Sequence, residues 1–361
     1  MLKRKMIKKY FIFVTAITVV IFITYNILSY TQIKHFKTKK YHSDDFYIHD
    51  YSIEPTHKTC SNKVFFIIIV TSYVGHVELR SAHRKAMPFS LLQSMNITRV
   101  FLLAKIPDKE KYITQNDIKD ESSIYGDILQ GTFIENYRNL THKHLMGLHW
   151  AATICKKASF ILKVDDDTVF NLNKTYELLM QTQGFEDTFL MGYMLNNTKP
   201  KRNKINKWYV TWEEYQRNEY PPYMSGWYYV TTPKTARKIT TGALTHPYFW
   251  IDDIFVTGVI AEALNINLKP LPANYWLEYY ELLECCLREM ITKSVRCDYV
   301  VGPNGGRNNL ILEFNEAIRV CERSANCTAR SVKRSLKKVC IAYKERAIFS
   351  SGKAQVNTIK I

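Results

Sequence analysis

Several common kinds of functional site are missing from this sequence of 361 residues. Its eight cysteines include no C-x₂₋₄-C pair of the kind that zinc sites use, and no internal repeat or low-complexity segment interrupts the chain. Residues 1–40 contain no acid and residues 323–361 contain only Glu345, so each end carries a formal charge of +9 and the body between them is nearly neutral. An excess of positive charge confined to the two ends argues against a nucleic-acid-binding protein.

A long uncharged stretch near the N-terminus predicts a membrane anchor. Residues 10–30 carry no charge over 21 positions, which is enough to cross about 30 Å of hydrocarbon. No small-residue cleavage site follows, so a retained signal-anchor is favoured over a cleaved leader. The numbers of lysines and arginines before and after residues 10–30 are nearly equal, so they do not decide the orientation of the anchor. We therefore assume the simpler topology, in which the short N-terminus is cytosolic.

This anchor divides the chain into five parts. We predict a cytoplasmic tail (1–9), a transmembrane signal-anchor (10–30), a polar stem (31–62), a lumenal domain (63–322) and a basic C-terminal extension (323–361). The extension is interpreted as a solvated helix or extended segment, with contact to acidic lipid or to a partner as the alternative. In an oxidising lumen the cysteines are expected to form disulfides, whose pairing the sequence leaves open.

Sequons give mild support to a lumenal location. We predict N-glycosylation at four of them: Asn96, Asn139, Asn196 and Asn326. A fifth sequon, at Asn173, lies so close to the acidic cluster described next that a glycan there could obstruct a site.

The body is organised around residues 160–167, an apolar run that stops at Asp165, Asp166 and Asp167. The pattern predicts a buried strand whose C-terminal end opens onto an acidic loop. Adjacent carboxylates are tolerated in full solvent or around a cation, and oxygen ligands suit Mg²⁺ and Mn²⁺. Ligands of open α/β sheets bind at the carboxyl ends of strands. From the residues alone, a solvated acidic turn and a cation site both remain open.

Strand and helix patterns alternate on either side of this stretch, which predicts an α/β domain. Strands are expected at 64–70, 99–103 and 160–164, and helices at about 76–86 and 140–155. Residues 117–121 are interpreted as an acidic flexible segment, and His142, His144 and His149 as solvent-exposed. Arg80 and Arg84 lie four residues apart on one side of the first helix, where they either face an anionic ligand or belong to the surface.

Five blocks of sequence resemble, in order, the β-1,3-galactosyltransferase and β-1,3-N-acetylglucosaminyltransferase family. They are YGDILQGTF (125–133), YRNLTHK (137–143), LKVDDD (162–167), YPPYMSG (220–226) and DDIFVTG (252–258). A sixth block, LRSAHR (79–84), matches less well. The resemblance implies a GT-A type fold with a mixed, mostly parallel sheet and helices on both faces. It also implies a UDP-sugar donor, Mn²⁺ or Mg²⁺, and a single-pass type II protein of the Golgi membrane.

The resemblance also implies roles for individual residues. Asp167 and Asp165 would bind the metal, and Asp253 would be the catalytic base that activates an acceptor hydroxyl. Donor or nucleotide contacts would come from Lys163, Asp165, Asp166, Arg80 and Arg84. The acceptor or sugar pocket would be formed by Tyr220, Pro222, Tyr223, Ser225, Gly226, Trp227 and Asp252. Asp252 and Asp253 could equally begin a helix, where acids are favourable.

Three departures from the family pattern bear on this hypothesis. Met224 replaces a cysteine, and Trp227 and Tyr228 replace small residues, which predicts a narrower pocket. The family often supplies a histidine to the metal late in the domain, but no histidine follows His246 here, and residues 299–305 occupy the corresponding region. The cation would then be bound more weakly, or water would complete its coordination shell.

The sequence therefore predicts an inverting β-1,3-glycosyltransferase, most simply a galactosyltransferase that acts on the 3-hydroxyl of a glycolipid or glycoprotein glycan. The alternatives are an N-acetylglucosaminyltransferase, or a catalytically silent relative that binds a glycan or a partner transferase. A homodimer or a transferase complex would fit this class.

Overall fold

The computed structural model describes residues 18–20, 22–24, 48, 50–56, 59–60, 64–184, 188–272, 274–347 and 354–360. Among these residues there is no helix with the length and apolar character needed to cross a membrane. The predicted tail (1–9) and most of the predicted anchor and stem lie outside the described residues. The six described positions within the anchor are helical.

The strands, in chain order, are β1 (Tyr51–Ile53), β2 (Phe66–Thr71), β3 (Ile97–Lys105), β4 (Ile128–Ile134), β5 (Phe160–Asp165), β6 (Thr168–Phe170), β7 (Phe189–Leu195), β8 (Tyr223–Thr231), β9 (Asn267–Pro270), β10 (Val301–Pro303), β11 (Ile341–Ala347) and β12 (Ala354–Lys360). The helices are α1 (Val77–Ala86), α2 (Phe89–Ser94), α3 (Gln115–Tyr125), α4 (Leu140–Ile154), α5 (Leu172–Thr182), α6 (Pro233–Ala243), α7 (Asp252–Ile254, continued by a π-helical turn Phe255–Val259 and by Ile260–Ala263), α8 (Tyr280–Lys293), α9 (Leu310–Arg323) and α10 (Leu336–Val339).

Eight of the described strands form one mixed sheet in the order β1-β4-β3-β2-β5-β8-β7-β9, and β6 with β10 and β11 with β12 form two separate two-stranded sheets. Its centre, β4-β3-β2-β5, is parallel. The strand β8 runs antiparallel between β5 and β7, and β1 pairs antiparallel with β4. The α/β prediction is therefore confirmed, and the three predicted strands correspond to β2, β3 and β5.

Helices cover both faces of this sheet. Phe66, Ile68 and Val70 of β2 pack into a core with residues of α1, α5, α8 and α9, whereas Ile67 and Ile69 pack into a second core with α4, α6 and α7. A strand covered on both faces needs a continuous apolar run instead of an alternating one. This requirement explains why residues 66–70 are apolar throughout and fully buried.

The domain begins earlier than predicted. The strand β1 and Cys60 both lie in the predicted stem. However, β1 belongs to the sheet, and Cys60 forms a disulfide with Cys155 at the end of α4. Cys285–Cys340, Cys286–Cys297 and Cys321–Cys327 complete the pairing of all eight cysteines. Met224, which stands in place of a family cysteine, is fully buried in the second core.

The segment 117–121 is helical, contrary to the prediction of a flexible acidic loop. The Thr114 side chain accepts a hydrogen bond from Asp117 N, and the Asp117 carboxylate accepts one from Thr114 N, a capping box that starts α3. Gly126 ends the helix in the left-handed region at φ 63°. The pattern T-x-x-D was present in the sequence and was the signal for this helix.

Candidate active site

The three adjacent acids lie at the carboxyl edge of the parallel strands, as predicted. Asp165 is the last residue of β5 and lies beside Thr71 of β2, and Asp166 N donates to Thr71 O at 3.0 Å. Asp165, Asp166 and Asp167 all line a cleft of about 1260 Å³. This cleft has the size and position of a ligand site in an open α/β sheet.

The Asp166 carboxylate is hydrogen-bonded to two other side chains. Its Oδ2 accepts hydrogen bonds from Ser72 Oγ at 2.7 Å and His76 Nδ1 at 2.9 Å. Burial alone would raise the pKa of Asp166, but these hydrogen bonds hold it below its usual value. Asp166 therefore fixes the loop after β2 against the acidic turn.

Asp165 and Lys163 form a pair on β5 at the floor of the cleft. Lys163 Nζ lies 2.5 Å from Asp165 Oδ1 and also donates to Gly226 O on β8. Burial raises the pKa of Asp165 to about 7, although Lys163 opposes the shift. Lys163 thus connects the acidic cluster to the neighbouring strand and neutralises one of its charges.

A second acidic pair, Asp252 and Asp253, lines the same cleft at the start of α7. Asp253 Oδ1 accepts from Ile254 N at 2.8 Å, and in the described part of the chain no basic side chain lies within ion-pair distance of it. Burial and the neighbouring charge of Asp252 raise the pKa of Asp253 to about 7. A carboxylate with this pKa can accept a proton near neutral pH.

Gly226 is required for the position of Asp253. A Cβ atom at residue 226 would lie 2.9 Å from Asp253 Cβ, closer than two carbon atoms pack. The start of β8 and the start of α7 therefore approach each other only because residue 226 has no side chain.

A buried histidine orients the first acid of this pair. His144 is fully buried, and burial lowers its pKa despite the Asp252 carboxylate. The neutral ring donates from Nδ1 to Asp252 Oδ2 at 2.9 Å and accepts at Nε2 from the Tyr229 hydroxyl at 2.5 Å. The resulting chain Tyr229–His144–Asp252 fixes the carboxylate beside Asp253.

The prediction that the histidines of α4 are exposed is wrong for His144 and His142. Both are buried, and His142 stacks on Tyr248 with ring centroids 4.6 Å apart. The physical reason is that α4 is covered on nearly all sides, so its polar residues have no solvent-facing side. His149 is half-buried.

Arg80 and Arg84 do not line the cleft, so their predicted role as donor contacts is corrected. Arg80 is fully buried, and its five N–H groups donate to both carboxylate oxygens of Glu121, to Ser72 Oγ and to the carbonyls of Tyr73 and Val74. Arg84 pairs with Glu121 and with Asp127 at 2.7 Å each. No donor of Arg80 remains for a phosphate, and the cluster instead supports the loop after β2.

Aromatic residues of the predicted pocket form one side of the cleft. Tyr220, Tyr223, Ser225, Gly226 and Trp227 line it together with Asp252 and Asp253, whereas Pro222 does not. Trp227 packs against Trp276 with ring centroids 3.6 Å apart, and Trp276 stacks on Tyr193.

Tyr228 points away from the cleft. It is fully buried in the first core, and its hydroxyl lies 3.0 Å from Thr175 Oγ1. Only Trp227 of the two unusual residues can therefore narrow the pocket, because successive side chains of a strand lie on opposite faces.

Sequence reasoning missed a buried ion pair in the cleft wall. Lys143 Nζ donates to both Glu135 oxygens, at 2.6 and 2.7 Å, and to Ser72 O at 2.7 Å. Both residues are buried and line the cleft. Lys143 closes the YRNLTHK block, so its place in the family pattern was the available signal.

Three of the four predicted glycosylation sites, Asn96, Asn196 and Asn326, are exposed. Asn139 is half-buried, and its Nδ2, the atom that would carry a glycan, donates to Ile134 O at 2.8 Å. The geometry disfavours modification of Asn139. Asn173 Nδ2 is also engaged, by Glu322 at 2.7 Å.

Comparison with known proteins agrees with the resemblance seen in the sequence. A family model described as Galactosyltransferase matches residues 79–272. The chain is 31% identical to beta-1,3-galactosyltransferase 2 of Homo sapiens over 248 residues, which cover 67% of this chain and 58% of that protein. It is also 31% identical to beta-1,3-galactosyltransferase 1 of Mus musculus over 246 residues, which cover 67% of this chain and 73% of that protein.

The match to the human relative thus spans less than two thirds of that protein. Among solved structures, a galactosyltransferase, LgtC, in complex with donor and acceptor sugar analogs matches 71% of this chain and 95% of its own, with a TM-score of 0.37 and 10% identity. Since the family model covers more than half of the sequence, the chain belongs to the galactosyltransferase family.

Proposed function

We propose that the chain is an inverting β-1,3-galactosyltransferase with a GT-A type catalytic domain, which transfers galactose from UDP-galactose to the 3-hydroxyl of an acceptor glycan on a lipid or protein. The observation that supports this most strongly is the presence of two acidic groups in one cleft. Asp165–Asp167 line it together with Asp253, whose pKa is raised to about 7 and which forms no ion pair among the described residues. The first group suits a nucleotide diphosphate with a cation, and the second suits a proton acceptor.

The acidic turn fits a divalent cation such as Mn²⁺ or Mg²⁺. Burial and the Asp166 charge raise the pKa of Asp167, and among the described residues no basic side chain forms an ion pair with it. No group of three His, Cys, Asp or Glu side chains is arranged for a metal within that part of the chain. Asp167 and Asp165 would therefore supply two ligands, with diphosphate and water completing the shell. Bound there, the cation would neutralise charge on the departing UDP.

Residues 299–305, which occupy the region where the family often has a metal-binding histidine, contact the acidic turn. Asn304 N donates to Asp167 O at 2.9 Å, and β10 pairs with β6 immediately after the acids. Asn304 is itself buried. Its backbone fixes the carbonyl of Asp167, so this segment supports the turn even without a histidine ligand.

Asp253 acts as the base in the proposed reaction. Its carboxylate accepts the proton of the acceptor hydroxyl as the oxygen attacks the anomeric carbon, and UDP leaves from the opposite face. One base and a single displacement invert the α linkage of the donor to a β product. Asp252, fixed by His144, raises the basicity of Asp253 through its charge and thereby contributes without contacting the proton.

The pH dependence follows from this role. Asp253 must be ionised to act, and its pKa is about 7, so kcat should fall about tenfold per pH unit below pH 7 and level off above it. The measurement is kcat at saturating donor between pH 5 and 9. An acid limb near pH 4, the range of an ordinary carboxylate, would contradict the assignment.

Trp227 supports galactose over N-acetylglucosamine as the donor sugar. Its ring lines the cleft and is held by Trp276, leaving less room for a 2-acetamido group. We expect Trp227→Ala to raise the ratio of kcat/KM for UDP-N-acetylglucosamine over UDP-galactose by about tenfold. Tyr112→Ala, at an exposed aromatic residue outside the cleft, is the control. An unchanged ratio in Trp227→Ala would remove Trp227 from donor selection.

We further propose that the protein is a single-pass type II protein of the Golgi membrane with its catalytic domain in the lumen. Four disulfides favour an oxidising compartment, and the uncharged run at 10–30 favours an anchor. A homodimer or a complex with another transferase is the proposed assembly. Protection of a C-terminal tag from protease in sealed microsomes tests the topology; cleavage of that tag would contradict it.

The activity itself is tested by assaying the full chain, expressed in a eukaryotic host. UDP release from UDP-galactose and from UDP-N-acetylglucosamine is measured with Mn²⁺ or with EDTA, against a panel of acceptor sugars. Cation-dependent release with UDP-galactose is the expected result. A folded protein that neither releases nor binds UDP would overturn the proposal.

A further inference from the structure

Residues 196–222, which join β7 to β8, contain no helix or strand, but hydrogen bonds within the segment fix its conformation. Arg202 is at its centre and donates to the carbonyls of Val210, Thr211 and Tyr215 at 2.7–2.9 Å. Connections of this length in a compact domain usually carry function. We call residues 196–222 the β7–β8 segment.

Contacts with other elements hold the β7–β8 segment over the cleft. Trp208 Nε1 donates to the Tyr137 hydroxyl at 2.9 Å, and Arg138 pairs with Glu214 at 2.6 Å. Residues of the segment that line the cleft include Lys199, Lys201, Lys207 and Trp208. The segment thus forms one wall of the site.

This wall is basic, although the body of the chain is nearly neutral. Residues 196–212 contain five lysines or arginines and no acid. Lys199 lies 3.5 Å from Glu219, but in the described part of the chain no carboxylate is within ion-pair distance of Lys201 or Lys207. The Lys207 ammonium lies over the Tyr137 ring at 4.5 Å. Both cations therefore line the cleft without a carboxylate partner among the described residues.

The same wall presents groups suited to a sugar. Trp208 is 47% exposed, and a flat aromatic surface in a cleft binds the apolar face of a pyranose ring. The Tyr220 hydroxyl is buried in the lining and has no hydrogen-bond partner among the described residues. A buried hydroxyl without a partner is costly unless a ligand or water satisfies it.

The β7–β8 segment leads directly into β8, whose Gly226 contacts Asp253, the residue proposed above as the base. The lysines therefore lie on the segment that precedes this contact in the chain, which is the reason for assigning them to the acceptor.

Building on the function proposed above, we propose that the acceptor glycan carries an anionic group, a carboxylate or a sulfate or phosphate ester, which binds Lys201 and Lys207 while a sugar ring contacts Trp208. A neutral acceptor would leave both ammonium groups without a carboxylate or other anion. Because charge-assisted hydrogen bonds are stronger than neutral ones, discrimination of about tenfold or more is expected.

The test compares acceptors that differ only in charge. Neutral, uronic-acid and sulfated forms of one acceptor oligosaccharide are assayed with the full chain and with a Lys201→Gln/Lys207→Gln variant. Lys204→Gln/Lys238→Gln, which removes two exposed lysines that do not line the cleft, is the matched control. We expect the ratio of kcat/KM for anionic over neutral acceptors to be at least tenfold in the wild type and to fall about tenfold in the variant, with KM for UDP-galactose unchanged. The uronic-acid and sulfated arms identify the kind of anion.

Two outcomes would overturn the inference. One is a wild type that does not prefer the anionic acceptors, and the other is a variant whose KM for UDP-galactose rises with no change in the acceptor ratio, which would assign the lysines to the diphosphate. Calorimetric binding of the sulfated and uronic-acid oligosaccharides in the presence of UDP separates this inference from the proposed activity. Binding that is lost in the lysine variant supports the anion site even if no transfer occurs, whereas transfer to neutral acceptors alone supports the activity and excludes the anion site.

Discussion

We expect Asp253→Asn to lower kcat by roughly 10²–10⁴-fold, the usual contribution of a general base, while UDP-galactose still binds. Asparagine keeps the shape of the side chain but cannot accept the hydroxyl proton. The substituted residue is not part of the acidic turn 165–167, to which the nucleotide contacts are assigned, so these contacts are expected to persist. Steady-state kcat and calorimetric binding of UDP with Mn²⁺ are the two measurements.

Asp120→Asn is the matched control for this change, because Asp120 is an exposed carboxylate on α3 outside the cleft. We expect it to keep wild-type kcat. If Asp253→Asn retained more than a tenth of wild-type kcat, Asp253 would not be the base. If it lost UDP binding as well, its role would be to maintain the cleft.

The second large effect concerns stability. We expect Glu121→Ala to lower the free energy of unfolding by about 3–5 kcal/mol, because it leaves the fully buried guanidinium of Arg80 without its carboxylate. For a domain of this size the loss corresponds to a decrease in Tm on the order of 10 °C. Thermal unfolding followed by circular dichroism, with the disulfides intact, measures it.

Glu177→Ala provides the comparison, since Glu177 pairs with Lys174 on the surface and both side chains are about half exposed. Exposed pairs of this kind contribute about 0–1 kcal/mol. Similar Tm values for the two variants would mean that the Arg80–Glu121–Arg84 cluster does not stabilise the domain.

The elements that sequence reasoning located are those whose determinants are local. An apolar run that ends in three acids is sufficient to place β5 and its acidic turn, and Asp252 and Asp253 do begin a helix. Gly226 lies in the YPPYMSG block, and it contacts Asp253 of the DDIFVTG block. In these cases residue type and position within one element fix the outcome.

The roles that were misassigned depend on partners far along the chain. The helical spacing of Arg80 and Arg84 and the family resemblance suggest a ligand contact for Arg80, and nothing near Arg80 in the sequence identifies Glu121, 41 residues away, as its partner. His144 was considered exposed because Asp252, 108 residues away, and Tyr229 cannot be found from the helix that carries it. Tertiary packing decides which charged groups pair with one another. The sequence of a single helix or strand does not contain this information.

The anomeric configuration of the product tests the central claim most directly. The full chain is incubated with UDP-galactose, Mn²⁺ and an accepted sugar, and the new glycosidic linkage is determined by proton NMR. A base at Asp253 with a single displacement predicts a β-galactoside at the 3-position. An α-galactoside would require retention through a different mechanism and would contradict the assignment of Asp253.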